Sequence, residues 1–276
     1  MDRRGREGYL RRDAAEGEMR ILITNDDGIT APGLAVAEAI AAEVAGPGGE
    51  IWVVAPEMER SGVSHCISYT RPMRLVELGP RRFAVEGNPA DCVILGLHHL
   101  MRDHPPDLVL SGVNSGHNVA EDAVYSGTIG GAMEGALQGV RAIALSQFYT
   151  RADHAPAERF DPARAHGVEA VRRVLACPWE RDLFYNVNFP AYRPEAVRGY
   201  RLADQGRRSE GVFDCVETLS PSGRRFFWLS HRTRNQSAPR GTDAALCAEG
   251  WITVTPMRPR IAAEDLFESA REALAR

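Results

Sequence analysis

Lysine is absent from this 276-residue sequence, in which all 33 basic residues are arginine. That absence removes Schiff-base chemistry, a Ser-Lys dyad and a P-loop lysine reaching the β- and γ-phosphates. Any phosphate the chain binds must be held by arginine, hydroxyls, backbone N–H groups or a metal ion. Codon bias is a sufficient cause of the composition, so only the exclusion carries weight. Cysteine is sparse: Cys66, Cys92, Cys177, Cys215 and Cys247 are odd in number, widely spaced and without a C-x-x-C pair. Neither a disulfide framework nor a zinc knuckle follows, and reduced thiols in a cytoplasmic protein are expected. No apolar run is long enough to span a bilayer, and residues 1–18 lack the hydrophobic segment of an export signal. The charges nearly balance, with 37 acidic residues against 33 basic and a formal net charge of −4, so no basic field draws a nucleic-acid polymer.

What is present is enough apolar material, 44% of the chain, to bury a full core without a covalent or metal staple. The apolar run Ile21-Leu22-Ile23 stops at Thr24-Asn25-Asp26-Asp27-Gly28, and Leu34, Ala37, Ile40, Ala41 and Val44 then recur at helical spacing. Strand, polar loop and helix are predicted in that order. A second strand, Ile51 to Ala55, ends at Pro56, and its loop carries Glu59-Arg60-Ser61-Gly62. At Gly87-Asn88-Pro89-Ala90-Asp91 a helix start is written in full, with Asn88 as N-cap, Pro89 first in the helix and Asp91 at its positive end. A strand at Asp107-Leu108-Val109-Leu110 is expected to give way to a polar loop at Ser111-Gly112-Val113-Asn114-Ser115-Gly116. Tyr125-Ser126-Gly127-Thr128 opens another helix, and Arg141 to Ser146 reads as a strand.

Strands alternating with helices predict an α/β fold, a mostly parallel sheet with helices on both faces. Ligands bind such sheets beyond the carboxyl ends of the strands, which draws Asp26, Asp27, Ser61, Asn114, Asn118 and Ser126-Gly127-Thr128 to one rim. Past residue 150 the sequence continues with a helix at 164–175 and a strand at 185–190. Residues 198–231 lean towards β structure, Trp251-Ile252-Thr253-Val254-Thr255 resembles a strand, and the spacing of Leu266, Phe267, Ala270 and Leu274 closes the chain with a helix.

The donors on the rim are carboxylates, hydroxyl and amide, a set that suits a hard cation such as Mg²⁺, Mn²⁺ or Ca²⁺. Taken alone, Asp-Asp-Gly is a turn signal, Ser61 a loop hydroxyl and Asn114 a residue satisfying its own backbone. Adjacent residues in an extended strand face opposite ways, so Asp26 and Asp27 can share one ion only if the chain bends there, and Gly28 makes the bend feasible. Ser126-Gly127-Thr128 at a helix start offers a phosphate site without lysine, with a plain N-cap as the equal alternative. Gly127-x-x-Gly130-Gly131 fails the dinucleotide pattern G-x-G-x-x-G, and the lack of Gly-x-Ser-x-Gly leaves no nucleophile elbow. His117 could donate a proton to a leaving group or be an ordinary loop histidine.

The run Met19 to Gly28 resembles the opening of the SurE survival-protein nucleotidases. Similar blocks follow in the same order: Val54-Ala55-Pro56 with Arg60-Ser61-Gly62, Gly87 to Val93, Ser111 to Asn114, Tyr125 to Thr128, Asn188-Phe189-Pro190 and Thr253-Val254-Thr255-Pro256. The family usually has Thr where Asn88 stands, and residues 1–18 have no counterpart in it; a disordered extension is expected there. The resemblance implies a Rossmann-like catalytic domain over 19–197 and a β-rich extension with a C-terminal helix over 198–276, used in forming a dimer or tetramer. It implies one divalent cation per subunit on Asp26, Asp27, Ser61 and Asn114, and phosphate contacts from Asn118, Ser126, Gly127 and Thr128. The implied activity is removal of phosphate from nucleoside 5′- and 3′-monophosphates by a metal-activated water, with Asp26 or Asp27 handling its proton. A rival mechanism makes one aspartate the nucleophile, and a rival class is a nucleotide or ion sensor without chemistry. Monoester hydrolysis can require acceleration towards about 10²¹-fold, of which general acid–base help supplies only about 10² to 10⁴, so charge stabilisation must carry the rest.

Overall fold

The computed structural model describes residues 18–149, 158–208, 213–231 and 238–275. The expected extension at 1–18 lies almost wholly outside them. Strand β1 (Arg20–Thr24) leads into α1 (Pro32–Ala45), then β2 (Glu50–Pro56), the hairpin β3 (Leu75–Gly79) and β4 (Arg82–Val85), and α2 (Pro89–Leu95). Next come β5 (Leu108–Ser115), the single turn α3 (Asp122–Tyr125), α4 (Gly127–Leu137), β6 (Arg141–Gln147), α5 (Asp161–Leu175) and β7 (Phe184–Phe189). The remaining elements are β8 (Tyr200–Leu202), β9 (Phe213–Leu219), β10 (Arg225–His231), α6 (Asp243–Ala248), β11 (Ile252–Met257) and α7 (Phe267–Leu274).

Nine strands form one sheet in the order β3-β4-β2-β1-β5-β6-β7-β11-β8. From β4 through β7 the pairings are parallel, and β3 and β11 join antiparallel at either side. The chain first builds outward from β1 through β2 and β4, then returns to lay β5 on the opposite side of β1. The gap between β1 and β5 is therefore a topological switch point, where diverging loops leave a crevice for a ligand.

Alternation along the strands explains the two helical layers. Ile21, Ile23, Leu108, Leu110, Ile143 and Leu145 face α1 and α5, meeting Leu34, Ile40 and Val171. Leu22, Val109, Ala142, Ala144 and Phe184 face the other way and pack on Val93, Ile129 and Ala132 of α2 and α4. The predicted α/β sheet covered on both faces is the fold found. The helix start at Asn88 is also as read: Asp91 Oδ2 accepts the Asn88 N–H at 2.8 Å, with Pro89 opening the helix.

Two expectations change. The stretch Ser111 to Ser115 is not a loop but the continuation of β5, which stays paired with β6 through a register irregularity between Ser111 and Asn114. Its polar residues stay in the sheet because β6 supplies Ser146 and Gln147 as partners for Asn114 and Ser115. In the segment after residue 198, β8 and β11 belong to the main sheet, and only β9 and β10 form a separate antiparallel ribbon. That ribbon exposes Val216, Leu219, Phe226, Phe227, Trp228 and Leu229. Helix α7 buries none of its residues. Among the described residues no helix is long and apolar enough to cross a membrane, and all five cysteines are free.

Candidate active site

The site begins where β1 stops. Asn25 leaves the strand and its Nδ2 donates to Gly28 O at 2.9 Å, closing a tight bend across Asp26 and Asp27. Gly28 has φ +99°, a conformation that disfavours side chains, and it abuts the backbone of Met58. The bend required for two adjacent carboxylates to serve one centre is present. The following loop is pinned to it, since the Arg60 N–H donates to Asp26 O at 2.7 Å and the Ile29 N–H to Pro56 O at 2.8 Å.

Asp26 is buried against the start of α4. Its Oδ1 accepts from Thr128 Oγ1 at 2.5 Å, and the Thr128 backbone N–H supports the same carboxylate. Gly127 is required by this approach: a Cβ there would lie 2.8 Å from Asp26 Cβ. Burial, and then the neighbouring charge of Asp27, push the Asp26 pKa up to about 7 against the opposing hydrogen bonds of Thr128. Asp27 turns the other way, towards β5, where Oδ2 accepts the Ser115 N–H at 2.9 Å. Its pKa is also raised, chiefly by burial; the Ser115 N–H and the Arg159 charge oppose this, and Glu59 adds to it.

The other rim residues divide into those whose polar groups face the pair and those already engaged. Asn114 donates Nδ2 to Gly116 O at 2.9 Å, which leaves its Oδ1 as the acceptor available to a cation. Ser61 is exposed and its Oγ donates to Glu59 Oε1 at 2.8 Å, so it reaches the carboxylates only by rotating about its side-chain bond. Ser126 is the N-cap of α4, its Oγ accepting the Ile129 N–H at 3.1 Å. With Thr128 committed to Asp26, the anion-binding groups left at this helix end are the Gly127 N–H and the Ser126 hydroxyl proton. Asn118 is buried and gripped on all sides: its N–H donates to Asn188 Oδ1 at 2.7 Å, its Nδ2 to Ser146 Oγ at 2.8 Å, and its carbonyl accepts from Asn186 Nδ2 at 2.8 Å.

Several residues at the site were not singled out by sequence reasoning. Ser115 and Arg159 form one group, Arg159 Nη1 donating to Ser115 Oγ at 3.1 Å. Asn186 and Asn188 form another, and their signal was legible: two asparagines alternating with Tyr185, Val187 and Phe189 put polar groups on a buried strand face, where each needs a partner. A third set braces the loops. Buried Asp243 accepts the N–H groups of Ala120, Gly206 and Ala244 at 3.0, 2.8 and 2.7 Å, while Arg208 holds Asp122 with both Nη atoms. His65 Nε2 lies 2.7 Å from Glu134 Oε2, tying the Ser61 loop to α4. Burial would raise the Glu134 pKa, but hydrogen bonds from His65 and Gln138 outweigh it and hold this carboxyl below its ordinary value.

The sequence model of the family described as Survival protein SurE matches residues 21–211. A protein named 5′-nucleotidase SurE from Ruegeria pomeroyi is 55% identical over 260 residues, covering 93% of this chain and all of that one. Its namesake from Roseobacter denitrificans is 56% identical over 253 residues, covering 90% of this chain and 97% of that one. The crystal structure of the SurE protein from Aquifex aeolicus superposes with a TM-score of 0.77 at 32% identity, covering 92% of this chain and 99% of that one. With this topology and this rim of oxygen donors, the chain belongs to the survival protein SurE family.

Proposed function

We propose that this chain is a phosphomonoesterase that removes phosphate from nucleoside 5′- and 3′-monophosphates and depends on one divalent cation, Mg²⁺ or Mn²⁺ with Ca²⁺ as an alternative. The observation that carries the reading is the Asp26-Asp27 pair, two buried carboxylates at the switch point of the sheet, directly beside the N-terminus of α4. The names of its relatives, 5′-nucleotidase SurE, supply the substrate class.

The residues fit a hard cation. Two neighbouring carboxylates whose charges raise the cost of ionisation favour a positive ion beside them, and Asp26, Asp27, Asn114 and Ser61 offer only oxygen. Such an ion would supply Lewis acidity at the phosphoryl group and a water of lowered pKa. The chain's own groups then have distinct tasks. Gly127 N–H and the Ser126 hydroxyl bind phosphoryl oxygens at the positive end of α4, where the charge of an in-line displacement develops. Asn118 keeps the adjoining loop in place and is the further candidate for a phosphate contact. Asp27, anchored by the Ser115 N–H, or Asp26, anchored by Thr128, accepts the proton of the attacking water. Free thiols throughout fit a reducing, cytoplasmic setting.

The exposed apolar residues of the β9-β10 ribbon suit a contact between copies of the chain, as a dimer or tetramer. The test of the activity is phosphate release from a panel of 5′- and 3′-mononucleotides. Release from at least one upholds the reading, whereas nucleotide binding without release from any assigns a non-catalytic binding protein. Recovery of a phosphorylated Asp26 or Asp27 after rapid quenching would replace water attack by a covalent route.

A further inference from the structure

Immediately past the carboxyl end of β6, Phe148 and Tyr149 stand half-buried, outside both core clusters. Gln147, the residue before them, pairs with Ser115 at the end of β5, so the two rings lie on the same strand-end rim as Asp27. His117 packs on Phe148 with ring centroids 4.2 Å apart and planes tilted by 45°. The Arg159 guanidinium lies over Tyr149, its Cζ 4.0 Å from the ring centroid. Arg159 is also the link to the carboxylates, since its Nη1 donates to Ser115 Oγ at 3.1 Å and the Ser115 N–H donates to Asp27 Oδ2 at 2.9 Å. None of these flat side chains has a task in the hydrolysis.

We propose that Phe148 and Tyr149, stiffened by His117 and Arg159, form the platform that takes the nucleobase of the substrate. The inference rests on the nucleotidase reading and assigns the part of the site which that reading leaves open. A nucleobase presents broad π-faces and a polar edge, and adjacent aromatic rings with a guanidinium are the side chains that stack on such faces. In the core these rings would be fully covered. On the rim they keep apolar surface in water that a stacked base would cover. The ion-binding and phosphate-binding groups lie on the α4 side of Asp26, and the rings begin one hydrogen-bonded step beyond Asp27, so phosphate and base would sit on opposite sides of the carboxylate pair. Stacking is tolerant of base identity, so the platform favours the larger purines over pyrimidines without excluding either.

The test compares a purine nucleoside monophosphate with ribose 5-phosphate, which carries the same phosphate and sugar but no base. In Phe148→Leu and Tyr149→Leu the ratio of kcat/KM for the nucleotide to that for ribose 5-phosphate falls about tenfold, through KM. An unchanged ratio overturns the platform, including the case in which both substrates lose activity together because the variant is misfolded or the residue only supports the fold. Calorimetric titration with adenosine gives a readout independent of turnover: the unaltered protein binds it, and Tyr149→Leu binds it about tenfold more weakly. If the protein hydrolyses nucleotides but the ratio does not move, the platform falls and the nucleotidase reading stands. If it hydrolyses nothing yet adenosine binding weakens in Tyr149→Leu, the nucleotidase reading falls and the platform stands. No binding of adenosine to the unaltered protein overturns the platform.

Discussion

Asp26 Oδ1 accepts a 2.5 Å hydrogen bond from Thr128 Oγ1, joining two buried residues 102 positions apart in the chain. The hydroxyl thus serves the carboxylate, although the resemblance assigns it to phosphate. Removing it in Thr128→Val, which keeps the shape, should weaken divalent-cation affinity about tenfold at neutral pH, because a hydrogen bond to a buried charge is worth about 1.5 kcal/mol or more. Isothermal titration with Mn²⁺ measures this. Unchanged Mn²⁺ affinity with a raised KM for nucleotide would return the hydroxyl to the phosphate.

Asp26 also gives the metal-free protein a pH signature. Its pKa in the folded state is about 7, above the ordinary carboxylate value of 3.8, and burial is the main cause. Between those values the native state binds the proton more tightly than the unfolded chain does, so native stability falls as pH rises. Glu134 acts in the opposite sense, its lowered pKa adding stability that is lost only in acid. From pH 5 to 7, the urea midpoint of chelator-treated protein should therefore decline, and saturating Mn²⁺ should reduce the decline. A midpoint that climbs over this range without metal would show that Asp26 is already ionised at pH 5.

The extent to which the site was legible in the sequence follows from how local each feature is. Gly28 and the Asp-Asp pair share one turn, and Asn88, Pro89 and Asp91 share another, so their roles are written in consecutive residues. The parallel sheet was legible from alternating periodicities, and with it the single rim. The division of labour on that rim was not. Whether Thr128 faces phosphate or Asp26, and whether Ser61 faces the centre or Glu59, depends on rotamers set by neighbours distant in sequence. Arg159, Ser115 and Asp243 act through partners 44, 88 and 123 residues away, separations that no local pattern reports.

Asp243 illustrates the cost of such a distant brace. In Asp243→Ala the Ala120, Gly206 and Ala244 N–H groups lose their acceptor. Each buried donor left without a partner costs about 1–3 kcal/mol, so a loss of about 3 kcal/mol in urea unfolding is expected, with reduced phosphate release because Ala120 adjoins the Asn118 loop. A loss below about 1 kcal/mol would mean that water replaces the carboxylate.

The β9-β10 ribbon makes a separate prediction. A two-stranded ribbon with Phe227, Trp228 and Leu229 in solvent is not stable alone, so light scattering should give a mass at least twice the 30.3 kDa of one chain. Phe227→Glu with Trp228→Glu should shift it towards one chain without unfolding the main sheet. A monomeric unaltered protein would remove the ribbon from any role in association.

The central claim is that the Asp26-Asp27 pair works by holding a divalent cation for phosphate-ester hydrolysis. Phosphate release from a 5′-mononucleotide is measured after chelation, after restoring Mg²⁺ or Mn²⁺, and in Asp27→Asn under both conditions. The account predicts release that vanishes on chelation, returns with the ion, and is at least about 100-fold lower in Asp27→Asn with the ion present. Full activity in the chelator, or an Asp27→Asn enzyme as active as the unaltered one, would contradict it.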